Sequence, residues 1–416
     1  MTILDSQPDS GGDIDSRYAW TRLALSVVLG TIACVGTWSV VVVLPTIEVE
    51  FDTIRGGASL PYTCTMLGFA AGSAVMGRLA DRFSIVAPIC IGAVLLCAGY
   101  VLAAFSSDIW QFALVHGLFI GVGSASGFAP LMSDLSHWFR KRRALAVTIA
   151  ASGSYAAGTV WPLVVEHFQV SQGWRATYVG IGLFVPAAML PLAFLMRRRP
   201  VSAAIAEAES TTREARVSLG LSPRALQGLL VVAGFACCTA MSMPQVHLVA
   251  YCGDLGYGVA IGTQILSLML GLGIISRLAS GLAADRIGGG PMLLLGSAMQ
   301  AAALLLYLFF NSLSSLYVIS GLFGLFQGGI VPMYAVIIRQ FLPPREAGAR
   351  IGFVIMATIL GMAFGGLSSG LIFDASGSYR LAFLHGFLWN CVNLALVAWL
   401  ILRPRAKPRA GEAAFR

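Results

Sequence analysis

The chain has 416 residues, 57% of them hydrophobic and only 11% charged, with a net charge of +8 and a mean hydropathy of +0.81. Soluble globular domains carry about 25% charged residues, so this composition excludes a water-soluble fold. The basic balance does not mark a nucleic-acid binder either: only Lys141 and Lys407 are lysines, and nearly all the arginines fall in short connections between apolar runs, where they act as topology signals.

Residues 1–19 are polar, carry Asp5, Asp9, Asp13 and Asp15, and lack the basic start and short apolar stretch of a cleavable signal. They read as a disordered cytoplasmic segment. Apolar runs long enough to cross about 30 Å of hydrocarbon then recur. They predict helices over 21–46, 58–80, 86–106, 109–136, 142–166 and 174–197. A hydrophilic stretch, 198–223, with Glu207, Glu209, Arg213, Glu214 and Arg216, reads as a cytoplasmic linker. Six more helices follow over 224–252, 258–284, 290–310, 313–340, 347–373 and 380–403, and 404–416 form a cytoplasmic tail. None of these runs alternates in polarity as barrel strands do. The expected fold is an all-α membrane protein of twelve transmembrane helices, in two six-helix bundles spanning 20–197 and 224–403.

With both termini cytoplasmic, the positive-inside bias leaves only Arg55, Arg175 and Arg380 outside, and Arg277 within a span. A multi-pass protein of the cell membrane is expected. The eight cysteines lie in or beside apolar runs without metal-binding or disulfide spacing, and read as small core residues.

The two halves repeat. Gly77-Arg78-Leu79-Ala80-Asp81-Arg82 after the second run returns as Gly281-Leu282-Ala283-Ala284-Asp285-Arg286 after the eighth, and Gly117-Leu118-Phe119 returns as Gly321-Leu322-Phe323, both offset by 204. Trp174-Arg175 returns as Tyr379-Arg380, offset by 205. Duplicated bundles are a common build for carriers, with the substrate site between them.

The paired loops, GRLADRFS (77–84) and GLAADRIGG (281–289), resemble the signature of the major facilitator superfamily, with Ser84 where the family usually has glycine. The resemblance implies a cytoplasmic gate made by Asp81, Arg82, Asp285 and Arg286; the other reading is that these loops only set topology and turn geometry. WFRKRRALAVTIAASGS (138–154) and SRLASGLAADR (276–286) resemble the monocarboxylate transporters and the neighbouring oxalate/formate antiporter group. That likeness implies that Arg277 binds a substrate carboxylate. Two departures stand out: Gly273 replaces an acid one turn earlier, and Leu278 replaces a proline.

The residue supports the same reading on physical grounds. Arg277 stands eight residues before Asp285, about 12 Å along the helix from its end. A cation at that depth is costly unless it faces a cavity and a counter-anion, and a guanidinium binds a carboxylate through two parallel hydrogen bonds. Bonds to helix-end carbonyls, or snorkelling to the interface, are the alternatives. Further candidates for the substrate site are Gln327, Tyr334, Tyr155 and His247 with its neighbour Gln245; intramembrane amides and hydroxyls are also common glue between helices.

These features point to a secondary transporter that moves a small organic monoanion by alternating access, together with a proton. Its partners are the anion, the proton and membrane lipid; no nucleic acid, obligate protein partner, cofactor or metal is expected. The competing reading is an efflux carrier for hydrophobic compounds, or an anion exchanger. No HExxH, nucleophile elbow or convergent acid pair suggests an enzyme.

Overall fold

The computed structural model describes residues 14–139, 142–198, 221–341 and 344–403, and these form helices joined by short connections. Twelve rods follow in chain order: α1 (Arg17–Glu50), α2 (Arg55–Arg82), α3 (Val86–Ala104), α4 (109–138), α5 (143–172), α6 (Trp174–Leu195), α7 (Pro223–Asp254), α8 (Val259–Ile287), α9 (Gly289–Phe309), α10 (313–341), α11 (Pro344–Ser376) and α12 (Tyr379–Leu402). Ten are long and apolar enough to cross a membrane; the other two, α2 and α5, are rich in glycine, serine and threonine. With an even number of crossings, both ends of the described chain lie on one face, here termed the terminal face.

The connections carry the stop and start signals. Ser16, Asp108, Ser222, Ser312 and Ser378 each accept a backbone N–H in the first turn of α1, α4, α7, α10 and α12, which satisfies donors that a helix start otherwise leaves orphaned. Gly288 turns α8 into α9 with φ of 88°, a left-handed conformation that glycine adopts without steric cost. The matching turn after α2 uses no left-handed residue at Ser84, which explains why serine is accepted there.

Packing repeats with the sequence. A Cβ on Gly68 of α2 would strike the Gly117 carbonyl of α4, and a Cβ on Gly324 or Gly328 of α10 would strike the carbonyls of Met269 and Gly273 on α8. The second and fourth helices of each half therefore touch backbone to backbone through glycine, as small residues permit in lipid. On α11, Gly361 and Gly365 seat against Phe235 and Thr239 of α7 within one half, while Gly366 and Gly370 face Tyr62 and Arg55 of α2 in the other. One helix thus carries an intra-bundle and an inter-bundle contact on adjacent faces.

Arg22 is wholly buried rather than a surface charge: it donates two 2.7 Å hydrogen bonds to Asp134 of α4 and one to the Met196 carbonyl, beneath the Trp138 ring. It ties α1, α4 and the end of α6 into one unit. Residues 1–13, most of 198–223 and 404–416 lie outside the described residues.

Candidate functional site

Four rods are interrupted at mid-depth: α1 at Cys34, α4 at 125–128, α5 at Ser152 and α10 at Gly328 and Gly329. Irregular backbone at membrane depth is tolerated where protein buries it or a cavity is lined by it. Such a cavity, of about 130 Å³, lies between the two bundles, and Cys34 and Phe128 from these interruptions line it. Trp38, Tyr62, Phe69, Phe128 and Tyr155 wall it on the first half, and Met241, Gln245, Arg277, Ile359 and Met362 on the second. The walls are mainly aromatic and aliphatic, with one formal charge.

That charge is Arg277. It is buried, lines the cavity, and stands ten residues from the end of α8, about 15 Å along the axis. Its Nε donates to the Gly328 carbonyl at 3.1 Å and its Nη1 to the Ala151 carbonyl at 2.6 Å. Both carbonyls belong to interrupted helices, where the ordinary i+4 donor is missing. The guanidinium also lies 4.3 Å from the Tyr155 ring centroid, within cation–π range. Among the described residues no carboxylate pairs with it.

Gly273 explains the aromatic partner. A Cβ there would strike the Tyr155 ring. Where the resembled family has an acid, this chain therefore leaves space, and the ring face fills it and covers the arginine. A π face attracts a cation without neutralising it.

The remaining candidates divide. Gln245 donates Nε2–H to Gln327 Oε1 at 2.8 Å; Gln245 reaches the cavity wall and Gln327 directly precedes Gly328, the carbonyl that holds Arg277. Tyr155, Arg277, Gln245 and Gln327 thus belong to one neighbourhood. Tyr334 instead donates its hydroxyl to Asn393 Oδ1 at 3.0 Å, and Asn393 and Asn390 bond Ser297, a polar cluster joining α9, α10 and α12. His247 bonds the Gly366 carbonyl at 2.8 Å and the Tyr379 hydroxyl at 3.3 Å, placing it toward the face opposite the termini.

On that opposite face stands a latch that sequence reasoning missed. Arg55, at the start of α2, donates to both carboxylate oxygens of Asp254 on α7, at 3.2 and 3.1 Å, and to the Tyr379 hydroxyl of α12 at 2.6 Å. Glu48 lies 2.6 Å from its Nε, an ion pair off the N–H axis. Asp374 of α11 accepts the backbone N–H groups of Arg55 and Gly56, capping a helix of the other bundle. Thr63 adds a bond to the Ala363 carbonyl. The only hint in the sequence was Arg55 itself, one of three exceptions to the charge bias. At the terminal face, Arg82 and Arg286 are exposed, and the side chains of Asp81 and Asp285 lie outside the described residues.

A family model described as Major Facilitator Superfamily matches residues 27–319 and 273–416. The chain belongs to the major facilitator superfamily. Among curated relatives, the MFS-type transporter opdF of Penicillium oxalicum is 25% identical, covering 85% of this chain and 82% of its own. The agnestins efflux protein AgnL12 of Paecilomyces divaricatus is 24% identical over 81% and 75% of the two chains, and monocarboxylate transporter 13 of Bos taurus is 27% identical over 79% and 75%. A crystal structure of a bacterial homologue of the human lysosomal transporter Spinster, inward-facing and occupied, superposes with a TM-score of 0.74 at 14% identity, covering 94% of this chain and 99% of that one. As a major facilitator, the protein is a multi-pass transporter of a small molecule, built as two bundles around the cavity described above.

Proposed function

We propose that this transporter carries an organic monocarboxylate, with Arg277 as the ligand for the carboxylate. The observation that supports this is a buried guanidinium at the cavity wall, held by two carbonyls and an aromatic face, without a protein carboxylate among the described residues. Carbonyls and a ring position the cation but leave its charge uncompensated, and an anionic substrate compensates it. The likeness to monocarboxylate transporter 13 points the same way. A single cation suits a monoanion better than a dianion.

In this reading the terminal face is cytoplasmic, the membrane is the cell membrane, and the bundles 20–197 and 224–403 rock about the site. The latch at Arg55 holds the outer side shut while the cavity serves the inner side. A proton accompanies the acid inward, so that anion and proton together cross without net charge. Asp81, Arg82, Asp285 and Arg286 act at the cytoplasmic gate.

The test is uptake of labelled monocarboxylates into proteoliposomes by wild type and Arg277→Ala, with and without an inward proton gradient. Gradient-driven uptake that the mutant loses by at least about tenfold is the expected result; equal transport by the mutant defeats it. Efflux of apolar compounds is the second reading, favoured by the apolar cavity walls and by the agnestins efflux relative. It predicts transport indifferent to Arg277.

A further inference from the structure

The latch on the face opposite the termini carries more negative than positive charge. One guanidinium, Arg55, lies among three carboxylates: Glu48 near the end of α1, Asp254 on α7 and Asp374 on α11. Among the described residues, the other ionisable groups at the latch are the Tyr379 hydroxyl of α12, with Tyr251 against its ring, and His247 of α7 behind it. Two residues after Glu48, Glu50 is taken by Arg175 of α6, and Asp52 is exposed in the turn.

The three carboxylates are not bonded alike. Asp254 accepts two guanidinium N–H groups and Asp374 two backbone N–H groups, so a proton on either displaces a bond. Glu48 stands 2.6 Å from Arg55 Nε but off its N–H axis, and that Nε is buried without a hydrogen-bond partner. A proton on Glu48 therefore breaks no bond with Arg55, and it relieves the crowding of like charges. The Glu48 side chain is 21% exposed, which leaves it in reach of the solution on that face.

Glu48 and Asp254 also belong to different bundles, and they contest one cation. Arg55 shares its bundle with Glu48 and reaches across to Asp254, so Arg55 must leave Asp254 when the face opens. An ionised Glu48 then keeps the guanidinium paired within its own bundle, through the Nε–H that is unbonded while the face is shut. A protonated Glu48 leaves it without a counter-charge, which is costly for a cation at membrane depth. Opening is thus easier with Glu48 ionised and harder with Glu48 protonated.

We infer that Glu48 is a positioning residue of the transport cycle, one that makes this gate respond to the pH of the solution it faces: acid shuts the gate and alkali loosens it. This rests on the Arg55 latch being a gate, and not on Arg277 or on the identity of the substrate. The proton stays at the latch and is separate from any proton carried with the substrate.

The test is labelling of Cys34 and Cys238, which line the cavity, by an impermeant thiol reagent added outside intact cells that express the full chain. Labelling is read by peptide mass spectrometry at about pH 5 and about pH 8, a range that spans the ionisation of a carboxylate crowded by others. Each value is divided by that of Arg55→Ala at the same pH, which removes the effect of pH on the thiols themselves. In wild type this ratio is expected to rise about threefold or more from acid to alkali. In Glu48→Gln it stays at the low acid value throughout, and Glu48→Met serves if Glu48→Gln does not fold. His247→Gln keeps the wild-type response. A wild-type ratio that is flat or falls with pH, a rise that survives the loss of the Glu48 carboxylate, or a rise abolished in His247→Gln overturns the inference. Labelling of Arg55→Ala no greater than wild type at either pH overturns instead the gate on which it rests.

Discussion

Arg277 and Tyr155 form a pair in which each residue constrains the other. The ring lies over the guanidinium at 4.3 Å because Gly273 leaves room for it, and cation–π contact in a desolvated site is worth about 0.5–2 kcal/mol. Tyr155→Leu is therefore expected to weaken acid binding several-fold, with Tyr155→Phe close to wild type, measured as dissociation constants. Gly273→Leu would drive the ring off the arginine and should reduce binding as much as Tyr155→Leu. At the other end of the first bundle, Arg22 and Asp134 are a buried, doubly bonded pair. Removing one partner of such a pair typically costs about 3–5 kcal/mol because it strands the other charge. Arg22→Ala should lower the unfolding temperature in detergent, and Arg22→Ala/Asp134→Ala should recover part of the loss.

Among the helices, α2 and α11 carry the contact between bundles on the face opposite the termini. Gly366 and Gly370 let α11 approach Tyr62 and Arg55, and the Arg55 latch adds directed bonds to α7 and α12. A hydrogen bond to a charged group contributes about 1.5–3 kcal/mol, so losing the latch shifts a two-state gate by roughly tenfold or more. Arg55→Ala should expose the cavity to the opposite face. Cys34 and Cys238 line that cavity and are free, so their labelling by an impermeant thiol reagent added outside should rise in the variant; unchanged labelling would show that the latch is not a gate. Interrupted helices matter as much. The break at Ser152 frees the carbonyl of Ala151, and Pro332, four residues after Gly328, has no N–H to give its carbonyl; these two free acceptors fix the position of Arg277.

For the whole molecule, alternating access requires the bonded face to open while the cavity changes sides. Among the described residues, the ion pair that joins the two bundles is Arg55 with Asp254, on the face opposite the termini. Cross-linking that face should arrest the cycle. Thr63 and Ala363 face each other there, and a short thiol cross-linker between Thr63→Cys and Ala363→Cys is expected to abolish uptake, with recovery after reduction. Uptake that continues through the cross-link would place the moving contact elsewhere.

Spans and halves were legible in the chain because they follow from rules local in sequence: about 20 apolar residues cross a bilayer, and a duplicated motif returns at a constant offset. Arg277 was legible for the same reason, since its cost depends on depth alone. Its surroundings depend on which helices meet. Nothing local says that the ring of Tyr155 occupies the space above Gly273, that Arg55 reaches three helices of the other half, or that Tyr334 turns to Asn393 while Gln327 turns to Gln245. Those contacts join residues 59 to 324 positions apart, and only the packing of helices within and between the bundles brings them together.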